Sequence, residues 1–379
     1  MKAFHFTGTG TEYFKIWIVN ILLTLITFGL YYPWAKVRTE RYFNANTELE
    51  GKNFEYHATG KQLFVGYLIA MAIFILYMVA VQVSPLGAIF FPLALFIAIP
   101  WIIWRSLKFH MIMTSFSNVR FGFKGTIKGA YINYFLYPFL FILAIYILPI
   151  GSGVILPKLS GSGHIPTWAA ILIGISALAS LVFAIWMYAF MKKKHTEYII
   201  NGSRFGQGVF STDVNTKKFL MIVLKTLGLS ILLFALPMIL LSSVVALSMT
   251  SGGSLLVLLV PVVYLLFIIA SMFVIAYSLT RQRSYVYANT RLDSKINFAS
   301  TLKAKSLSWV MISNLFLILF TFGLAFPWAK VRVARLVVEN TLVDTSIGFN
   351  EYMTEKQNEE SSLGEQIGDA FDVDVGLGF

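Results

Sequence analysis

Six apolar runs in this chain are each long enough to cross the hydrocarbon core of a membrane. Such a crossing takes about 20 helical residues for a core of about 30 Å. Hydrophobic residues make up 57% of the chain and charged residues only 13%. The sequence therefore predicts an all-α polytopic membrane protein. The six runs are 63–83, 86–104, 130–148, 168–191, 219–247 and 255–280.

The net charge of +12 is concentrated at the ends of these runs. Connections 84–87 and 240–254 carry no charge and 149–166 carries only Lys158, whereas the connections on the other side are rich in lysine and arginine. The positive-inside rule places that basic side in the cytoplasm. We expect the lipid bilayer and anionic lipid headgroups as partners, and no nucleic acid.

One stretch occurs twice, at 27–38 and at 321–332. Over 27–47 and 321–341, 13 of 21 positions are identical, which indicates a duplicated unit. Each copy ends an apolar run with Pro-Trp and then turns basic, as segments do at the bilayer surface. The copies supply candidate headgroup contacts or topology anchors: Trp34, Lys36, Arg38, Trp328, Lys330 and Arg332.

Short alternating segments such as 54–56, 121–123 and 296–298 predict cytoplasmic β-strands that precede membrane helices and pair beneath the membrane. Irregular amphipathic loops are the alternative. These segments divide a transmembrane domain, 1–349, into repeats at about 4–53, 54–120, 121–207, 208–295 and 296–348. Residues 350–379, with eight acidic residues and one lysine from 351 onward, are predicted to be a disordered tail.

The two terminal apolar runs, 16–34 and 307–328, create a topological problem. If both span, giving eight spans in all, the second basic motif lies outside and the first strand lies opposite its look-alikes. A re-entrant hairpin avoids this, with a half-helix over 16–26, a turn at 27–29 and an extended return to Trp34. Non-helical backbone at that depth requires burial in protein or contact with water.

Polar residues and the turn glycines of the terminal runs are the candidate substrate or lipid contacts. Asn20 and Asn314 correspond across the repeat, and each is also a candidate for bonding to a neighbouring helix. The full set is Asn20, Thr27, Gly29, Asn314, Thr321 and Gly323.

Catalytic and metal chemistry find little support in the residue inventory. The chain has no cysteine and only five histidines, none at helical-face spacing to another. We therefore expect no metal, no cofactor, no catalytic residue and no enzyme activity. Apart from Lys225, the runs also lack the buried ionisable groups that usually mark ion-coupled transport.

The repeated Thr-Phe-Gly-Leu…Pro-Trp-Ala-Lys-Val-Arg stretch, followed by Arg41-Tyr and Asn46-Thr, together with the Phe-x-Tyr-x-x-Thr-Gly-x-x-x-Phe segment at 54–64, resembles the YjgN family of bacterial inner-membrane proteins. The resemblance implies a multi-pass protein of the bacterial inner (cytoplasmic) membrane and carries no known reaction or site residues.

Together these patterns favour a passage or binding protein for a lipid or small molecule, without ion coupling. The alternative is a structural or assembly partner that recruits proteins through its cytoplasmic strands and acidic tail.

Overall fold

The computed structural model describes residues 1–84, 86–159, 165–251, 259–345 and 351–357. Within these ranges, six helical segments are long and apolar enough to cross a membrane, and they match the six predicted runs. The helices are α1 Gly10–Ile26, α2 Tyr32–Ala45, α3 Gly60–Val83, α4 Gly87–Ile112, α5 Ile127–Tyr131, a π-helical turn Ile132–Leu136, α6 Tyr137–Leu159, α7 Thr167–Gly202, α8 Thr216–Ser251, α9 Val260–Ala288, α10 Ala304–Phe320 and α11 Phe326–Glu339. The six candidate spans are α3, α4, α5 to α6, α7, α8 and α9.

Eleven short strands lie between the helices in the described part of the chain. They are β1 Lys2–Ala3, β2 His5–Phe6, β3 Thr47–Leu49, β4 Lys52–Tyr56, β5 Thr114–Phe116, β6 Val119–Phe123, β7 Ser203–Phe205, β8 Gly208–Thr212, β9 Thr290–Leu292, β10 Ile296–Ser300 and β11 Thr341–Val343. The predicted short strands thus exist and pair, and the alternative of irregular loops is wrong. Their share of the fold is larger than the sequence indicated.

The chain divides into two compact units, each with antiparallel strands. One comprises 1–31, 38–55 and 221–349 and contains the strand rows β1-β11-β10-β9 and β2-β3-β4. The other comprises 32–37, 56–220 and 350–379. Its strands follow the order β5-β6-β7-β8, because each strand pairs with its neighbour in the chain.

Helices α1 and α3 begin at the same sequence signal, a Thr-Gly pair after a strand. Thr9 accepts a bond from the amide of Glu12 at 3.3 Å, and the Glu12 carboxylate accepts one from the amide of Thr9. Thr59 and Gln62 make the same reciprocal pair before α3. This capping box satisfies amides that the first helical turn leaves unpaired.

The same type of backbone hydrogen bond joins a strand to the end of a later helix at several places in the chain. In four places, the amide of the residue after a strand donates to a carbonyl at the C-terminal end of a later helix. The pairs are Thr7 with Asn46 (3.0 Å), His57 with Met113 (2.8 Å), Lys124 with Gly202 (2.7 Å) and Thr301 with Asn340 (3.0 Å). The C-terminal end of each of these four strands therefore lies beside the C-terminal end of the later helix.

The terminal apolar runs form helical hairpins, here named hairpin 1 (α1 and α2) and hairpin 2 (α10 and α11). Thr7 reaches Asn46 across hairpin 1, and Thr301 reaches Asn340 across hairpin 2. Both runs therefore return to the strands, as the re-entrant alternative predicts. The predicted extended return is wrong, since Tyr32–Ala45 is α-helical. Pro33, in the first turn of α2, does not prevent the helix, because no amide donor is needed there.

Residues 351–357 are helical, and we name this segment the tail helix. Tyr352 and Met353 are buried, and the Gln357 amide donates to the Ser117 carbonyl at 2.7 Å. This contact lies within the second compact unit. The remainder of the predicted acidic tail lies outside the described residues.

Candidate functional site

The turn of each hairpin is built from the candidate residues Thr27, Gly29, Thr321 and Gly323. The Thr27 hydroxyl donates to the Leu23 carbonyl at 2.7 Å and accepts from the Tyr31 amide at 3.0 Å. Thr321 repeats both bonds at the same distances, with the Leu317 carbonyl and the Ala325 amide. The threonine hydroxyls are therefore engaged within the hairpins themselves.

The two glycines have a backbone conformation that explains their place in the motif. Gly29 has φ 91° and Gly323 has φ 90°, in the left-handed region that is accessible to glycine at little cost. Their amides bond the carbonyls of Thr24 at 2.7 Å and Ile318 at 2.8 Å, which closes the C-terminal turn of each first helix. Gly29 and Gly323 thus shape the turns through their backbone.

A phenylalanine lies at the tip of each hairpin. Phe28 is 93% exposed and Phe322 is 97% exposed, the highest values among the large apolar side chains described. Both have positive φ, 49° and 51°, which is uncommon for a residue with a bulky side chain. The turn therefore holds each ring outward, where it forms an apolar surface with exposed neighbours such as Ile26 and Phe320.

Asn314 joins the two helices of hairpin 2. Its side chain is 6% exposed, and its amide nitrogen donates to the Ala329 carbonyl at 3.0 Å. Its oxygen accepts from Arg332 Nη1 at 2.8 Å. Asn20, the equivalent residue in hairpin 1, is also buried on its helix. The bond from Asn314 to Ala329 is of the kind expected if this asparagine joins neighbouring helices. The other hypothesis, that Asn20 and Asn314 contact a substrate or lipid, stays a prediction.

The cations of the duplicated motif have different surroundings in the two copies. Lys330 lies over the rings of Phe43 and Tyr13, with its amine 4.8 and 5.4 Å from the ring centres. Arg332 also contacts Ser313, at 3.0 Å from Nη2. In the first copy, Arg38 donates to the Tyr31 hydroxyl at 3.2 Å, and Lys36 is half-buried.

Each tryptophan of the motif packs against a glycine at the start of a helix in another repeat. Trp328 and Phe14 have ring centres 5.0 Å apart, and a Cβ on Gly10 would overlap the Trp328 indole. Trp34 and Phe64 are also 5.0 Å apart, and a Cβ on Gly60 would overlap the Trp34 indole. The tryptophans therefore act as packing groups between repeats, a role that the anchor hypothesis did not include.

Aromatic residues around the start of α1 complete the packing of hairpin 1. Tyr13 and Tyr42 stack with ring centres 5.3 Å apart. The Tyr42 hydroxyl donates to the Thr9 carbonyl at 2.8 Å and lies 3.3 Å from Glu12. Burial is the main reason that the pKa of Tyr42 rises to about 12.

Sequence reasoning missed Gly10, Gly60, Tyr13 and Ser313. The Thr-Gly pairs at 9–10 and 59–60 were a detectable signal, because they align when the chain is shifted by 50 residues. Nothing in the pattern indicated which tryptophan each glycine would meet. Ser313 has no counterpart in the first copy, where Val19 stands, so the duplication gave no signal for it.

A family model described as "Bacterial protein of unknown function (DUF898)" matches residues 1–370. The chain belongs to this family. The chain is 29% identical over 372 residues to the inner membrane protein YjgN of Salmonella typhimurium (strain LT2), covering 94% of this chain and 92% of that protein. The YjgN protein of Escherichia coli (strain K12) is 31% identical over 216 residues, covering 56% and 53% of the two chains.

These relatives and the six long apolar helices identify a multi-pass inner-membrane protein, as the motifs predicted. No solved structure matches the chain significantly.

Proposed function

We propose that this protein binds membrane lipid at its two hairpin tips and lets lipid pass between the leaflets without ion coupling. The observation that carries the proposal is the pair of exposed rings, Phe28 and Phe322, on turns whose threonine hydroxyls are already bonded. Such a tip presents an apolar surface that suits an acyl chain, and its threonine hydroxyls are already hydrogen-bonded within the hairpin. Large exposed apolar surfaces mark sites that contact other apolar groups.

The lengths of the hairpin helices support entry into the bilayer without a full crossing. Helices α1 and α10 have 17 residues and α2 and α11 have 14, or about 25 and 21 Å at 1.5 Å per residue. These lengths are below the roughly 30 Å of a hydrocarbon core. In this proposal both ends of each hairpin stay at the strands and the tips end inside the bilayer.

Cations lie close to these tips. Arg38 and Arg332 are exposed and each follows the first residue of its helix by six positions, about 9 Å along the axis. An arginine at membrane depth draws water and headgroups towards it and thins the bilayer locally. A thinner apolar layer beside each hairpin lowers the barrier for a headgroup to cross.

The composition of the six spans supports facilitated rather than ion-driven passage. The stretch 63–103 has no charged residue, 129–191 has only Lys158, and 219–280 has only Lys225. Coupled transporters usually carry ionisable groups along their path. The proposal accordingly involves no reaction and no gradient, and lipid moves in either direction.

The test is a leaflet-exchange assay with the full chain in liposomes of phosphatidylethanolamine and phosphatidylglycerol. A trace lipid with a nitrobenzoxadiazole fluorophore is bleached by dithionite from outside. Without exchange about half of the fluorophore is protected, so bleaching well beyond half in wild-type vesicles supports the proposal. Bleaching equal to that of vesicles holding an unrelated multi-pass protein overturns it.

A pair of matched variants tests the role of the tips. Phe28→Ser with Phe322→Ser removes both apolar rings, and Phe28→Leu with Phe322→Leu keeps the tips apolar. We expect slow exchange in the serine variant and near wild-type exchange in the leucine variant. Equal exchange in both would exclude the tips as the lipid contact.

A further inference from the structure

Arg332 is held in a fixed orientation by two residues of the facing helix. Nη1 donates to the Asn314 oxygen at 2.8 Å, and Nη2 donates to the Ser313 hydroxyl at 3.0 Å. Asn314 is itself fixed, because it is buried and donates to the Ala329 carbonyl. The guanidinium therefore has little freedom to reorient.

These two contacts use fewer than half of the N–H donors of the Arg332 guanidinium. Arginine has five N–H donors, and these two contacts use two of them. The side chain is exposed, and no carboxylate forms an ion pair with it within the described ranges. A planar fork of free donors matches the geometry of a phosphate group.

We propose that Arg332 binds the phosphate of a phospholipid headgroup, with Ser313 and Asn314 as its positioning residues. This inference rests on the proposed function, since it names the headgroup contact at the same hairpin. The tip supplies the complementary half of the site, because Phe320, Phe322 and Leu324 are exposed apolar side chains at the turn. Arg332 lies about 9 Å along α11 from the helix start that follows this turn. A site that combines a phosphate-binding arginine with a neighbouring apolar surface suits a phospholipid better than a free anion.

The first hairpin provides an internal comparison. Val19 stands where Ser313 stands, and Tyr31 stands where Ala325 stands. Arg38 is accordingly held by the Tyr31 hydroxyl at 3.2 Å, on its own side of the hairpin turn. The two arginines share their place in the motif but differ in how they are fixed, and the Ser313 bond is particular to hairpin 2.

The test is native mass spectrometry of the full chain in detergent, titrated with 1-palmitoyl-2-oleoyl phosphatidylglycerol. Arg332→Gln removes the charged donor, and we expect about tenfold weaker lipid retention, the loss that follows from a charge-assisted hydrogen bond. Ser313→Val reproduces the first copy, keeps Arg332 and should weaken retention less. Arg291→Gln, an exposed arginine on β9, makes the same charge change away from the hairpins and should leave retention unchanged.

Two further arms identify the source of the phosphate. Inorganic phosphate at 10 mM should displace little bound lipid if the apolar half of the site contributes. Complete displacement by inorganic phosphate, or equal retention by wild type and Arg332→Gln, overturns the assignment. Ser313→Val keeps the question decidable if Arg332→Gln fails to fold. Because retention is measured without leaflet exchange, its outcome is separate from that of the proposed function.

Discussion

The Trp328 indole lies against Gly10, so a motif near the end of the chain packs on the first turn of its first long helix. A Cβ on Gly10 would overlap this ring and would lie 2.6 Å from its Cγ. The Trp34 and Gly60 pair repeats the arrangement, with 2.5 Å to Cγ. The duplicated motif thus joins the last repeat to the first and the first repeat to the second.

Gly10→Ala should destabilise the protein because the added methyl group collides with a large planar ring. Overpacking of this kind typically costs about 1–3 kcal/mol, which thermal unfolding in detergent can measure. Combining Gly10→Ala with Trp328→Ala removes the collision, so the two effects should fall short of additivity.

Gly228→Ala is the matched control, since Gly228 lies in α8 and an added Cβ would meet nothing within 4 Å beyond its own stretch of helix. This change should be neutral or slightly stabilising, because alanine favours the helix by up to about 1 kcal/mol. Equal effects of Gly10→Ala and Gly228→Ala would show that the indole does not rest on Gly10.

The hairpin topology predicts which cysteines a membrane-impermeant maleimide can reach. Lys2→Cys and Lys52→Cys lie on β1 and β4, the strands on either side of hairpin 1, and both positions are exposed. The native chain has no cysteine, so each variant reports one site. We expect neither to react in intact cells and both to react after permeabilisation.

Leu86→Cys, at the uncharged connection between α3 and α4, should react in intact cells. Reaction of Lys2→Cys from outside while Lys52→Cys stays protected would mean that hairpin 1 is a true span.

The raised pKa of Tyr42 leads us to expect a loss of folding stability at high pH. Its pKa is about 12 in the folded protein against 10.0 for an ordinary tyrosine, chiefly because of burial. The folded state therefore favours the neutral hydroxyl, and this contribution is complete below about pH 10 and is lost as the pH rises through 12. The stability difference between wild type and Tyr42→Phe should be constant to about pH 10 and then decline. A difference that stays flat to pH 12 would contradict this pKa.

The tail helix predicts unequal effects of two truncations. Removing 358–379 leaves the helix and the Gln357 to Ser117 bond in place, whereas removing 351–379 exposes the surface that covers Met353, which is 2% exposed. Losing one buried side chain of this size costs about 1.5–3 kcal/mol. Only the longer truncation should lower the unfolding temperature, and an equal loss in both would place the stabilising contact beyond Gln357.

A partner-binding role for the acidic tail stays a prediction, and the same truncations test it. Affinity purification of the full chain and of the chain lacking 358–379 compares their partners while the tail helix is retained. An unchanged set of partners would remove residues 358–379 from any assembly role.

The sequence by itself determined the features that depend on local pattern. Apolar length set the six spans, the Thr-Gly capping signals set the starts of α1 and α3, and the Thr-Phe-Gly turn set the reversal at both hairpins. These follow from residues near one another in the chain, because helix length, capping and positive φ are local properties.

Tertiary structure alone decided the contacts between distant residues. The second arm of each hairpin is helical, although the re-entrant hypothesis expected an extended return from the turn at 27–29 to Trp34. Trp328 could have faced lipid, water or protein, and only packing placed it on Gly10. Arg332 was recognisable as a cation, but its orientation depends on Asn314 and Ser313 of the facing helix, and side-chain direction across two helices is not encoded in the spacing of either one.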